Sequence, residues 1–555
     1  MPVWTPPANW TTKTALLHKA PVYILRFDGL ASVQYSSGPV TSASRTTKQY
    51  LAEISSLSQS FDVLSGQYSV GGVSAVLVDK SYEITDLIGT EKTSPTLATL
   101  LNRKVTILLG YADLTEADYT AIFVGYISDL RLLDDKSAYE FELTDIRQFT
   151  VRDIFTNANA GGSKVDTTLT AAVSAGAIRL DVASAANVAV DDDIFIRQAA
   201  TPFNEDKVKV GRVDEANRVF YLRDETPTTF AFASGDSVRW AATKLVGNPI
   251  NIFYSLLTGT FSTSGSFPLA SYSGQPTGLG IAAGDIDTAG LIIERDDWLT
   301  NMVLTFEMRS PESAAGFLGK EIFRLFGFPV VTPDGKLSFK AFGPRKPTDA
   351  VLTMTASDMI EWSWRRRYDL AYNRVTVKFD YDPENSRYIS SSSFNDTATQ
   401  ATVGVSEMIV QSRGIRTGVN AEYYLEQYAR RFLTRYARGA AELRAKLFMT
   451  HRALYPGLSL DVTHAAAPNV RTALRGLAAA VGVPAFELSV VKHDPRTGIV
   501  EIVAADNGWT RPGFIAQSGL PNYSSATSEQ KRKNAYISPP SGANFSDGST
   551  PYKVI

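Results

Sequence analysis

From residue 20 to 155, apolar and polar positions alternate with a period of two in short runs, and turn residues separate the runs. Val22 to Phe27, Val73 to Val78, Val105 to Leu109, Ala121 to Leu130 and Ala138 to Leu143 are rich in β-branched or aromatic residues and predict strands. In the last run Tyr139, Phe141 and Leu143 alternate with Ala138, Glu140 and Glu142, which gives one buried face and one wet face. Asp145 is placed to cap a short helix that turns Ile146, Phe149, Ile154 and Phe155 inward. Strands closed by one helix predict a small barrel over 1–160, because closure removes unpaired edges.

The small, polar stretch 157–164 predicts a linker. After it, 165–240 predicts a separate β module with strands Ile178 to Val182, Asp193 to Arg197, Lys207 to Val213, Val219 to Leu222 and Ser237 to Trp240. With 12 Asp/Glu against 8 Lys/Arg, its local charge is -4, and its bracketing marks it as an insertion. An α+β domain is expected over 244–350. Asn248-Pro249 starts a helix with Ile250, Phe253, Leu256 and Leu257 as its stripe, and the Ser/Gly/Thr-rich 261–280 reads as a loop. A second helix is expected with Ser310 as N-cap and Pro311 at its first position, its apolar face running from Ala314 to Phe326 before Gly327. Phe328 to Thr332 and Lys336 to Phe342 then form a hairpin across Pro333-Asp334-Gly335.

A second barrel is expected over 351–510. Its signals are the strand Asn373 to Phe379, an amphipathic helix over 420–438, alternation at Leu443, Ala445 and Leu447, and the pair Phe486 to Val491 with Ile499 to Val503. The polar 511–555 reads as an extended C-terminal tail. The fold class expected is α+β, mainly β, and multidomain. It comprises two tube-like β-barrel domains, an inserted small β module and an α+β connecting domain.

Composition narrows the chemistry. The 555 residues hold 55 Lys+Arg and 57 Asp+Glu, a net charge of -2, without the basic excess of a generic nucleic-acid binder. The 28 Phe, 24 Tyr and 7 Trp supply a large core, and the absence of Cys removes disulfides, thiolate nucleophiles and iron–sulfur clusters. Met1 to Pro7 lacks the basic start and apolar core of a secretory signal, so synthesis in the cytoplasm as a soluble chain is expected. His18, His451, His464 and His493 are far apart, Gly278 to Gly284 has the wrong spacing for a dinucleotide fingerprint, and Asp191-Asp192-Asp193 lacks a calcium-loop pattern. No catalytic, cofactor-binding or metal residue is therefore assigned, and no cofactor is expected. Arginine is the exception. Arg365, Arg366 and Arg367 follow Trp362 and Trp364, and Arg430, Arg431, Arg435 and Arg438 line the late helix. A surface facing nucleic acid is one reading. A subunit interface is the preferred one, since Arg suits desolvated polar contacts and the whole chain is nearly neutral.

In order along the chain come Asn102-Arg103-Lys104-Val105 to Tyr111 followed by Ile122 to Ile127, then Asn248-Pro249-Ile250 to Thr258, then Ser310 to Phe342, then Tyr372 to Val377, then Leu454-Tyr455-Pro456-Gly457 to His464. This succession, covering about 20–155 and 245–508, resembles the tail hub (baseplate hub) proteins of long-tailed bacteriophages. The resemblance implies a structural virion protein of the tail tip or baseplate. It implies a homotrimer whose chains each contribute two barrels, a pseudo-sixfold ring that meets a tail tube ring or distal tail protein above and a central fibre or tip protein below. Tape measure protein would pass through it, and DNA only in transit. The alternatives are a tail-tip enzyme that degrades cell wall and an adhesin whose 165–240 module binds a host glycan.

Overall fold

The computed structural model describes residues 21–506 apart from single positions and short stretches, the longer of which are 94–99, 156–165, 344–350, 469–474 and 478–485. The expected linker at 157–164 and the tail at 511–555 lie outside the described residues. The chain is mainly β, α+β in class, with several sheets and a few helices.

Alternating sequence near the N-terminus folds into β1 (Pro21–Phe27), β2 (Val33–Ser36), β3 (Thr46–Lys48), β4 (Leu51–Ile54), β5 (Leu57–Ser60), β6 (Gly72–Val78), β7 (Lys104–Tyr111), β8 (Thr120–Leu133) and β9 (Ala138–Thr144). The ladders run from β4 and β5 through β6, β9, β8, β7, β1 and β2 to β3. The outermost strands, β3 and β4, are consecutive in the chain with Gln49 and Tyr50 between them, so the sheet curls back on itself. Period-two alternation then turns Val73, Ala75 and Leu77 of β6 and Phe141 and Leu143 of β9 into one core with Ile24, Leu25 and Ile107. The helix Glu83–Thr93 starts where the Asp79 carboxylate accepts from the N–H groups of Ile84 (2.8 Å) and Thr85 (3.1 Å).

A second curled sheet comprises β10 (Val351–Thr355), β11 (Met359–Arg367), β12 (Ala440–Phe448), β13 (Ser459–Pro468), β14 (Phe486–Asp494) and β15 (Ile499–Asp506). Its order is β11-β12-β15-β14-β13-β10. Here too the outermost strands, β10 and β11, are consecutive, joined by the 3₁₀ turn Ala356–Asp358 with a Thr355/Asp358 capping box. Met354, Leu443, Ala445, Leu447, Leu460, Leu488 and Ile502 fill its interior. With β4 and β5 taken as one interrupted strand, the two sheets have the same connectivity. Six strands in each stand in the order second, third, sixth, fifth, fourth, first. They differ at one ladder, where first meets fourth: β1 and β7 are antiparallel, β10 and β13 parallel.

The inserted module is a six-stranded antiparallel sheet with its own core of Leu180, Ile194, Ile196, Val210, Phe220 and Val238. Its first strand, Asp166–Thr168, pairs with its last, Ser237–Trp240, so the chain enters and leaves at one place. In the connecting region, helix Pro249–Thr258 begins as expected at Asn248, whose side chain accepts from the Ile250 N–H at 2.9 Å, and ends at Gly259 with φ 72°.

Three expectations change. The 261–280 segment includes a strand, Ser271–Ser273, that pairs with Thr243–Gly247. The helix expected from Ser310, a residue outside the described set, begins at Ala314 with Ser313 as its cap. Glu312–Ser313 is held extended by a ladder to Asp153–Ile154, which costs the helix its first turn, and a π-helical turn at Gly319–Phe323 follows. The third change is the largest. Strand Arg374–Asp382 was expected in the second barrel, as was the late helix, here Ala421–Tyr436. The strand instead forms a separate sheet with Arg387–Asn395 and Glu407–Gln411, and both pack on the connecting core, where Val375, Val377, Leu425, Tyr428 and Phe432 join Phe253, Phe317, Phe323 and Phe339. A wide apolar helix face needs a large apolar partner, and the Phe-rich connector supplies it.

Candidate assembly surface

The two barrels share more than strand order. In the first, Leu51 pairs with Leu77 and Glu53 with Val76, leaving Ala52 as an extra residue; in the second, Met359 pairs with Leu447 and Glu361 with Lys446, leaving Ile360. A further bulge falls in the fifth strand of each. Ser128 is extra between Ile127 and Asp129, and Ser489 between Leu488 and Val490. Each of these serines donates its hydroxyl across the ladder at 3.1 Å, Ser128 to the Glu142 carbonyl and Ser489 to the Val503 carbonyl. The third and sixth strands carry the same register between the bulges, so that Ala75 corresponds to Ala445, Leu77 to Leu447 and Glu140 to Glu501. Bulges re-aim a strand and fix its register. Two of them at matching places make the barrels repeats of one framework.

The barrels meet within the chain through the second strand of one and the fifth strand of the other. Leu57, Ser58, Gln59 and Ser60 of β5 pair with His493, Lys492, Val491 and Val490 of β14. The Phe61 N–H extends the ladder to the Ser489 carbonyl at 2.9 Å, and the Phe61 ring stacks on Phe328 with centroids 4.2 Å apart. Tyr23 donates to the Pro495 carbonyl at 3.2 Å, and burial, with Tyr111 and Asp494 nearby, raises its hydroxyl well above the usual range, so it stays a donor. Arg496 and Glu53 bridge the seam at the surface. A cavity of about 40 Å³ lies here, lined in part by Leu57, Gln59, Asp145, Tyr455 and His493; it has room for about one water, far below a ligand pocket of ~300 Å³ or more.

The arginines singled out from sequence fall into two groups. Around Glu442 on β12, Arg365 and Arg444 reach one carboxylate oxygen at 2.6 and 2.8 Å, and Arg367 reaches the other at 2.8 Å while also holding Asp369 at 2.6 Å. Burial alone would raise the Glu442 carboxyl; the hydrogen bonds from Arg444, Arg367 and Arg365 outweigh it and hold it below the usual carboxylate value. Arg366 donates to the Gly439 carbonyl at 3.1 Å. On the late helix, Arg435 is buried against Glu487 at 2.8 Å, tying helix to barrel, and Arg431 donates to the Phe342 carbonyl at 3.0 Å and lies over the Trp298 ring. Arg430 pairs with Glu426 one turn away, and Arg438 is exposed. The helix arginines other than Arg438 are thus engaged within the chain, while the β11 arginines stand on a strand that pairs on one side only, with β12, among the described residues. Sequence reasoning missed Leu57–Ser60 and the bulge serines, since nothing in a Ser-rich run distinguishes a joint from a loop.

Among the described residues no group of three or more His, Asp or Glu could hold a metal ion, and no helix is long and apolar enough to cross a membrane.

The architecture is that of a duplicated-barrel protein with a connecting α+β core and an inserted β module. No family model matches the chain, and no curated protein matches it. Among solved structures it is similar to the 43 kDa tail protein of prophage MuSo2 from Shewanella oneidensis, at 8% identity over 88% of this chain and 99% of that one, with a TM-score of 0.38. It is also similar to a tail protein from Neisseria meningitidis MC58 (10% identity, 88% and 97% covered, TM-score 0.36) and to a prophage tail protein from Listeria monocytogenes EGD-e (8% identity, 88% and 96% covered, TM-score 0.30).

Proposed function

We propose that this chain is a structural component of a phage tail, a hub at the tail tip or baseplate with no catalytic turnover. Three copies would form a ring in which six barrels stand around a channel. That ring would meet a sixfold tail tube or distal tail ring on one side and a threefold fibre or tip on the other, and would gate tape measure protein and DNA. The observation that carries the reading is the shared strand order with matching bulges, since two like units per chain are what lets a threefold assembly offer sixfold contacts. The succession of sequence segments typical of tail hubs agrees with it. Arg365, Arg366, Arg367 and Arg438 are the arginines proposed to face a neighbouring subunit. Native mass spectrometry of the purified chain, alone and with its tail-ring partner, tests the reading. A three-chain mass is expected, and a folded chain that stays monomeric with the partner present rejects it.

A further inference from the structure

The joint inside one chain has a counterpart position on each barrel. Relative to the Ser489 bulge, the positions of β14 covered by β5 are Val490 to His493. Counted the same way from the Ser128 bulge, the corresponding positions of β8 are Asp129 to Leu132. These pair only with β9, and their other edge has no ladder among the described residues. Each is more exposed than its counterpart, Leu130 being half-buried and the other three exposed, and the contrast is widest at the end: Leu132 is 56% exposed, while His493, paired with Leu57, is 7% exposed.

The partner for that edge follows from the second strand. Ser58 pairs with Gly72, Gly72 with Thr144, and Thr144 follows Leu143; in the second barrel Ala505 follows Ala504 in the same way, pairs with Glu442, and Glu442 pairs with Arg365. Ser58 therefore corresponds to Arg365, and the covering segment Leu57–Ser60 corresponds to residues 364–367, the open end of β11.

We infer that residues 364–367 of one copy add as an antiparallel strand to residues 129–132 of a second copy, in the register that places Arg367 opposite Asp129, Arg366 opposite Leu130, Arg365 opposite Arg131 and Trp364 opposite Leu132. This rests on the trimeric reading above and names its contact. The chemistry suits the register. Arg367 meets an exposed carboxylate, with exposed Glu142 beside it on β9, and the Trp364 ring covers a leucine that is otherwise in water. Arg365 and Arg131 fall opposite each other, but each already holds a carboxylate, Glu442 at 2.6 Å and Glu140 at 2.5 Å. The contact is head-to-tail, so it closes into a ring when the rotation per copy is a third of a turn, with inner and outer joints alternating around six barrels.

The absence of Cys makes the test direct. One double variant carries Asp129→Cys with Arg367→Cys, a second Leu130→Cys with Arg366→Cys. Adjacent antiparallel pairs alternate between Cα separations of about 5.5 and 4.5 Å, both within disulfide reach, so the two variants sample both spacings. A control carries Ser60→Cys with Val490→Cys, the matching pair of the inner joint, which should close within one chain. After mild oxidation, at least one of the two test variants should run as a covalent species of three chains and no more, dissociated by reductant. If native mass shows three chains, the control closes, and neither test variant cross-links, the register is overturned and the trimer stands. If native mass shows one chain, the trimeric reading and this contact fall together.

Discussion

The second strand of the first barrel and the second strand of the second barrel occupy the same place in the same framework, yet they are built from different residues. Leu57–Ser60 is uncharged and already paired with β14, whereas 364–367 is one tryptophan and three arginines on an edge without a second ladder among the described residues. A strand edge that must wait for a partner is a liability, and charge is the usual way to keep it from pairing at random. The permanent joint needs no such protection. On the proposed assembly, one framework would serve both a fixed contact and one that stays soluble until subunits meet.

That comparison can be pressed at several points. The largest effect is expected where helix meets barrel. Arg435→Met should leave Glu487 buried without its guanidinium and cost about 3–5 kcal/mol in urea unfolding, while Arg438→Met on the exposed face should stay within about 0.5 kcal/mol. Next come the matched core positions. Leu77→Ala and Leu447→Ala sit at one register and are both fully buried, so each should cost about 2–5 kcal/mol; a large loss in one and none in the other breaks the equivalence of the barrels.

Glu442→Gln should be milder, about 1–2 kcal/mol, because the arginines it gathers are partly in water. Its pH dependence has a definite sign. The folded carboxyl is held below its usual 4.5, so its contribution is complete above that value and is lost as pH falls through the depressed one. The wild type should therefore lose more stability on acidification below about pH 4.5 than the Gln variant does. Among the matched positions of the two barrels, the smallest effects belong to the bulges. Ser128→Ala and Ser489→Ala each remove one cross-ladder hydrogen bond and should cost about 0.5–1.5 kcal/mol. The two costs should match, because the bond from the Phe61 N–H goes to the Ser489 backbone carbonyl, which the Ala variant keeps; a loss at one serine only would break the equivalence of the bulges.

Much of the local structure is legible without coordinates. Tyr139, Phe141 and Leu143 announce β9, the Asn248-Pro249 start of its helix is where the cap forms, and the hairpins at 327–341 and 486–506 follow their turn residues. The Arg365–Arg367 run stands out as a patch, though only the fold shows that its strand is paired on one side alone among the described residues. The duplication is invisible for a plain reason. Met359 lies 308 positions after Leu51, but Leu443 lies 370 after Val73 and Ser489 361 after Ser128. The second barrel interrupts itself between its second and third strands with a sheet and two helices, so no single offset aligns the halves.

Alternation, caps and turn residues act over a few neighbours, and so the chain alone determined where strands and helices lie and that apolar surface exists for several cores. Which core receives Arg374–Asp382 and the Ala421–Tyr436 helix was decided by the tertiary structure, because shape and area match across hundreds of residues. So was the pairing of β5 with β14. Ladder hydrogen bonds join backbone to backbone and leave no mark on side-chain identity, so a joint of this kind has to be seen in the folded chain.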